Sequence, residues 1–123
     1  MAWKVAFISQ KGGVGKSTAA RALAREATVG GIKTKIADLD LEQATSFEWN
    51  RRRLAEGLPP VASVEVFSTA AQAIASAEDF ELLIFDGPAR ASKGTSELAK
   101  IADLIVQPTG ASLDDLVPAI KVF

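Results

Sequence analysis

The sequence predicts an α/β fold: a mostly parallel sheet of about five strands with helices on both faces. Three observations predict it. Short, continuously apolar runs recur along the chain and alternate with alanine-rich segments of helical period. A glycine-rich loop joins the first apolar run to the first helix. Two of the apolar runs end in aspartate, at the strand edge where open parallel sheets present polar groups. At 123 residues the chain fits one domain, read over 1–123, with enough length for a real core.

Composition narrows the chemistry. Nearly half the residues are apolar and the net charge is −1, which argues against a polybasic nucleic-acid binder while leaving room for a local patch. Cysteine is absent, so one chain supplies no disulfide, thiolate metal site or iron–sulfur ligand. Histidine is absent too, which removes imidazole catalysis and the commonest zinc ligand. No apolar run reaches the length of a membrane span, and the first residues lead directly into a strand pattern. A cytoplasmic protein without a membrane partner is the expectation.

Residues 3–9 read as a buried strand, with Val5-Ala6-Phe7-Ile8 at its centre. The loop Gln10-Lys11-Gly12-Gly13-Val14-Gly15-Lys16-Ser17-Thr18 follows, and a helix over 17–27 begins inside it. Its three glycines let successive backbone amides turn toward one anion, where the helix start adds its unpaired N–H groups. Lys16 is placed as a mobile charge for the β- and γ-phosphates, and the Ser17 hydroxyl as a ligand for Mg²⁺. The alternative is a glycine turn that binds nothing. Ala19, Ala20, Ala22, Leu23, Ala24 and Ala27 suit close packing on a sheet, with Arg21, Arg25 and Glu26 toward water. Gly30-Gly31 stops this helix.

The second strand, 33–38, ends in Asp38-Leu39-Asp40. Asp38 reads equally as a strand-end residue or as a site carboxylate. Residues 45–55 look helical, with Phe47, Leu54 and Trp49 available for packing. Arg51-Arg52-Arg53 on this helix is either a solvated face or a contact to DNA phosphates or an acidic partner, with Trp49 to stack. Gly57 and Pro59-Pro60 close the segment. A third strand over 64–67 is placed near an edge, because Glu65 interrupts its apolar run. Thr69 is a cap for a helix over 70–77 whose Ile74 faces inward. Leu82-Leu83-Ile84-Phe85 then forms a central strand ending in Asp86-Gly87-Pro88. A polar loop with Arg90, Ser92 and Lys93 leads to a short helix over 96–101 and a fifth strand over 103–108. Ser112 is a candidate N-cap, with Asp114 and Asp115 in its first turn and Leu116, Val117 and Ile120 inward.

An ordinary phosphate loop, G-x-x-x-x-G-K-[ST], has a glycine where this chain has Gln10, and Lys11 precedes the glycines instead. The loop resembles the deviant Walker A motif, K-G-G-x-x-K-[ST], of the ParA/MinD superfamily of ATPases. Asp38-Leu39-Asp40 resembles that family's switch I, D-x-D-P-Q, though the proline is missing and Gln43 falls one residue late. The strand ending at Asp86 resembles its Walker B strand and switch II, and 102–108 its A-D-x-x-x-x-P strand.

The resemblance implies strand order 3-2-4-1-5 and slow, Mg²⁺-dependent hydrolysis of ATP. It implies that Lys11, Gly12, Gly13, Val14, Gly15, Lys16, Ser17 and Thr18 bind nucleotide, with Gly87 offering an amide to the γ-phosphate. It also implies that Asp40 helps activate the attacking water, and that Ser17, Asp40 and Asp86 serve the metal, Asp86 through a water. Lys11 is expected to reach a partner's phosphates in an ATP-sandwiched dimer; the alternative is that it serves its own nucleotide. Of the family's branches the plasmid and chromosome partition ATPases are the most similar, with a ParB-like activator and non-specific DNA as the implied partners. The chain corresponds to the N-terminal part of a typical member, so the other reading is a non-catalytic module that associates with a longer homologue.

Overall fold

The computed structural model describes residues 2–9, 15–41, 44–59, 61–88 and 93–108. In chain order it contains β1 (Trp3–Phe7), α1 (Lys16–Val29), β2 (Thr34–Asp38), α2 (Thr45–Ala55) and β3 (Ser63–Val66). These are followed by α3 (Ala70–Ser76), β4 (Leu82–Asp86), α4 (Lys93–Ile101) and β5 (Leu104–Val106). The strands form one parallel sheet in the order β3-β2-β4-β1-β5, as the resemblance implies.

The order places the two aspartate-terminated strands side by side. Asp38 of β2 and Asp86 of β4 are register partners, and Phe7 of β1 pairs with Asp86 on its other side. Both carboxylates thus stand at the carboxyl edge of the sheet, beside the loop that leaves β1.

Two apolar layers sandwich the sheet. On one side Ala20 and Ala24 of α1 pack on Val5, Phe7, Ile36 and Ile84, with Phe47 and Trp49 of α2 completing the layer. On the other, Ala70, Ala73 and Ala77 pack with Leu98 of α4 on Ala6, Ile8, Leu83 and Phe85. Alanine at these positions lets the helices lie close to the sheet.

Helix ends follow local chemistry. Thr69 accepts a hydrogen bond from the Gln72 N–H at 3.2 Å and caps α3 as expected. Gly31 takes φ +84 after α1, a conformation that costs glycine nothing. Edge strand β3 carries the exposed Glu65, whose carboxylate pairs with the buried Lys35 of the neighbouring strand.

Several expected boundaries shift. β1 ends at Phe7, although the Ile8 N–H still bonds to the Val106 carbonyl at 3.0 Å. β3 runs one residue earlier, leaving Phe67 to donate to the Asp38 carbonyl at 3.0 Å. β5 is confined to three residues, and α4 starts three residues before the expected 96. Leu54, expected to pack, is 48% exposed because Phe47 and Trp49 already cover the sheet. The expected cap and helix after residue 111 lie outside the described residues, as do Gln43, Arg90 and Ser92.

Candidate functional site

The site forms where α1 begins opposite the ends of β2 and β4. Gly15 precedes α1 with φ +84, and no side chain caps the helix start. A side-chain cap would occupy the N–H groups that an anion needs there. Lys16 is the first helical residue and lies 8% exposed, unusual for a lysine. Its Nζ is paired with Oδ1 of Asp86, which is itself 1% exposed. Ser17 donates its hydroxyl to the same oxygen at 3.1 Å.

The other oxygen of Asp86 finds a partner that no local motif announces. Ser46, in the first turn of α2 and fully buried, donates its hydroxyl to Oδ2 at 2.6 Å. Arg21 in turn donates Nε to the Ser46 hydroxyl oxygen at 3.4 Å. Asp86 therefore collects Lys16 and Ser17 from α1 and Ser46 from α2. The pairing spans forty residues, so sequence inspection had no spacing rule with which to find Ser46.

Asp38 takes the strand-end role left open for it, and it does so beside Asp86. Its Oδ2 accepts N–H bonds from Ser46 and Phe47, both at 3.1 Å, and Oδ1 accepts one from Asp40 at 3.1 Å. Those are the bonds of an N-cap, supplied by a strand end because the local cap residue, Ala44, has no acceptor. Ala44 also adopts φ 45, which costs alanine about 1 kcal/mol. Burial holds the Asp38 carboxyl above its usual 3.8, and the Asp86 charge adds to the rise against the Phe47 and Asp40 N–H bonds. Burial lowers the Arg21 value, with Arg52 adding to the effect and Asp86 opposing it.

Asp40 stands two residues farther along, half-buried, its N–H held by Asp38 and its carbonyl accepting the Ala44 N–H at 2.7 Å. Thr18 lies exposed on the first turn of α1. Lys11, Gly12, Gly13 and Val14 lie outside the described residues.

Gly87 is placed differently from its expected role. Its N–H is donated to the Phe7 carbonyl at 3.0 Å, so serving a γ-phosphate requires giving up that bond. A Cβ at this position would meet the Phe7 oxygen at 2.8 Å and Leu98 Cδ1 at 3.3 Å. Gly87→Ala is accordingly expected to cost about 1–3 kcal/mol of stability through overpacking of the central strands. Urea unfolding checks this; a midpoint within error of the parent would contradict it.

The donor set suits a hard cation bound with phosphates. Ser17 Oγ and Asp86 Oδ1 meet at 3.1 Å at one point, an alcohol and a carboxylate of the kind Mg²⁺ accepts beside nucleotide oxygens and waters. Among the described residues no three acidic side chains gather as a protein-only cage. Nor, among them, is any helix long and apolar enough to cross a membrane.

A family model, the CobQ/CobB/MinD/ParA nucleotide binding domain, matches residues 5–119. No individual curated protein matches significantly. With nearly the whole length matched, and with the parallel sheet and strand order described above, the chain belongs to the CobQ/CobB/MinD/ParA nucleotide-binding domain family and is a nucleotide-binding protein of the ParA/MinD ATPase type.

Proposed function

We propose that this chain is a Mg²⁺-dependent ATP-binding switch of the ParA type, hydrolysing ATP slowly and pairing with a second copy in plasmid or chromosome partition. The observation that carries the reading is the convergence of Lys16 and Ser17 on the buried Asp86, directly after a loop with the deviant lysine, Lys11. In this reading Lys16 leaves Asp86 for the β- and γ-phosphates, and Ser17 and Asp86 turn to the metal. Mg²⁺, held by Ser17 and Asp86, would supply neutralisation of phosphoryl charge. Asp40, beside Asp38 at the end of β2, orients the attacking water. Positioning supplies most of the catalysis, because phosphoryl transfer needs little covalent help from protein groups.

Asp40→Ala is expected to keep Mg-ATP affinity and lose most turnover, by about 10²-fold or more, the scale of a general-base contribution. Calorimetric binding beside phosphate release measures both quantities. Parental turnover would remove Asp40 from the hydrolytic step.

Lys11 addresses dimer formation. Two nucleotides facing each other across an interface repel, and a lysine from each partner relieves that repulsion. Lys11→Ala is therefore expected to bind ATP as a monomer, without ATP-dependent dimers and with little turnover. Light scattering with a slowly hydrolysed ATP analogue tests this. Equal dimer formation by Lys11→Ala would rule out the trans-acting lysine, and a parent chain that never dimerises would favour a nucleotide-binding module acting on a longer homologue. A ParB-like activator and non-specific DNA are the partners this reading proposes.

A further inference from the structure

A groove of about 250 Å³ runs between α1 and α2, lined by Thr18, Arg21, Arg25, Trp49, Arg53 and Val61. Arg21 and Arg53 place their guanidinium carbons 5.1 and 5.3 Å from the centroid of the same Trp49 ring. Two like charges are thus drawn to one aromatic surface from two helices, each gaining a modest cation–π attraction. Two nearby arginines are paired: Arg25 with Glu26 at 3.2 Å and Arg51 with Glu48 at 2.8 Å. Arg21 and Arg53, by contrast, form no ion pair among the described residues. Arg53 reaches only the Pro59 carbonyl, at 3.4 Å, and its buried Nε has no hydrogen-bond partner. Two guanidinium cations beside one groove, without a carboxylate partner among the described residues, favour an anion there.

We propose that this groove is a second oxyanion site, in which Arg21 and Arg53 hold a phosphate group against Trp49. Phosphate fits better than carboxylate because the donors approach from different directions. The guanidinium groups come from two different helices, and the exposed Thr18 also lines the groove. A phosphate group offers oxygens in several directions, whereas a carboxylate presents two in one plane. The ligand is a phosphorylated small molecule or the phosphodiester backbone of a nucleic-acid strand. Arg21 also contacts Ser46, and Ser46 contacts Asp86, so an occupied groove is sensed at the nucleotide site. The assignment does not rest on ATP hydrolysis.

The test uses the full chain carrying Trp3→Phe, since Trp3 is 70% exposed and its loss leaves Trp49 as the remaining tryptophan. With saturating Mg-ADP present, Trp49 fluorescence is followed during titration with sodium tripolyphosphate and, separately, a short oligothymidylate. A saturable change is expected with at least one probe. Arg53→Gln is expected to weaken it roughly tenfold or more, the loss of a hydrogen bond to a charged group, while Mg-ADP affinity stays at the parental value. Arg53→Lys, which keeps the charge without the planar fork, is expected to fall between. Response to the oligonucleotide alone assigns a strand backbone; response to tripolyphosphate alone assigns a free phosphorylated ligand. If Arg53→Gln loses its helical circular dichroism, Arg53→Lys is the variant read in its place. No saturable change with either probe, or parental binding by the variant used, would overturn the proposal. Tighter binding of an oligoglutamate peptide than of both probes would also overturn it, and would assign the groove to an acidic protein segment.

Discussion

Lys16→Ala is expected to lose measurable ATP binding and, at neutral pH, to unfold more easily than the parent. The first effect follows from removing the mobile charge that the proposed function assigns to the β- and γ-phosphates. The second follows from burial. Lys16 and Asp86 are 8% and 1% exposed, and deleting one partner leaves a buried carboxylate beside Asp38 without its cation. Breaking such a pair costs about 3–5 kcal/mol. Circular dichroism should still show a folded protein, with a lower denaturation midpoint. The double variant Lys16→Ala with Asp86→Asn should regain much of the stability and none of the binding. The stability deficit should also narrow as pH falls. Asp38 already has a carboxyl raised above 3.8, chiefly by burial, and Lys16 is one of the groups holding it down. A raised folded value means that deprotonation penalises the fold, so stability is gained as pH drops through that value toward 3.8 and levels off below it. Without Lys16 the gain is larger. Parental ATP affinity in a folded Lys16→Ala protein would sink the phosphate-loop assignment.

Asp86→Asn is expected to uncouple nucleotide binding from Mg²⁺. In the structure the Asp86 charge is answered by Lys16, and in the proposed function ATP would claim that lysine for its phosphates. Asp86 then needs another cation, which is why metal and nucleotide should enter together. Asparagine keeps the shape and can still accept from one of the two serines, its amide NH₂ donating to the hydroxyl oxygen of the other, but it carries no charge to be answered. Calorimetry with and without Mg²⁺ should show a large metal dependence in the parent. In the variant it should be smaller by roughly 10–100-fold, the range for residues that act on a metal through a bound water. An undiminished Mg²⁺ dependence would place the metal elsewhere.

The sequence was most legible where short-range rules apply. The strand–glycine loop–helix order located α1 because the turn, the amides and the lysine are all set by neighbours in the chain. Thr69 could be read as a cap because its acceptor and donor are three residues apart. Glu65 marked an edge because charge in an apolar run has few other places in a parallel sheet. What stayed hidden depended on contacts across the fold. Ser46 is one serine among several until β4 is known to end against it. Asp38 looked like a choice between structure and site, and only the sheet shows that it caps α2 while abutting Asp86. Gly87 suggested a free amide, and only the pairing of β1 with β4 shows where that N–H goes.

The alanine layers have a calorimetric consequence. Of the 18 apolar residues that form the core among the described residues, eight are alanine, on both faces of the sheet and within it. Alanine surrenders almost no rotamer entropy on burial, so such a core assembles at low conformational cost. It also removes less hydrocarbon from water than leucine or phenylalanine would, and the heat capacity of unfolding scales with that area. The stability curve of this protein should therefore be shallow and broad, with a modest maximum and weak dependence on temperature near it. Against so low a baseline, a ligand present at 100 times its dissociation constant adds about 2.7 kcal/mol to the folded state. Occupancy of the sheet edge thereby becomes a large part of what keeps the chain folded, and thermal denaturation becomes a sensitive gauge of what is bound there.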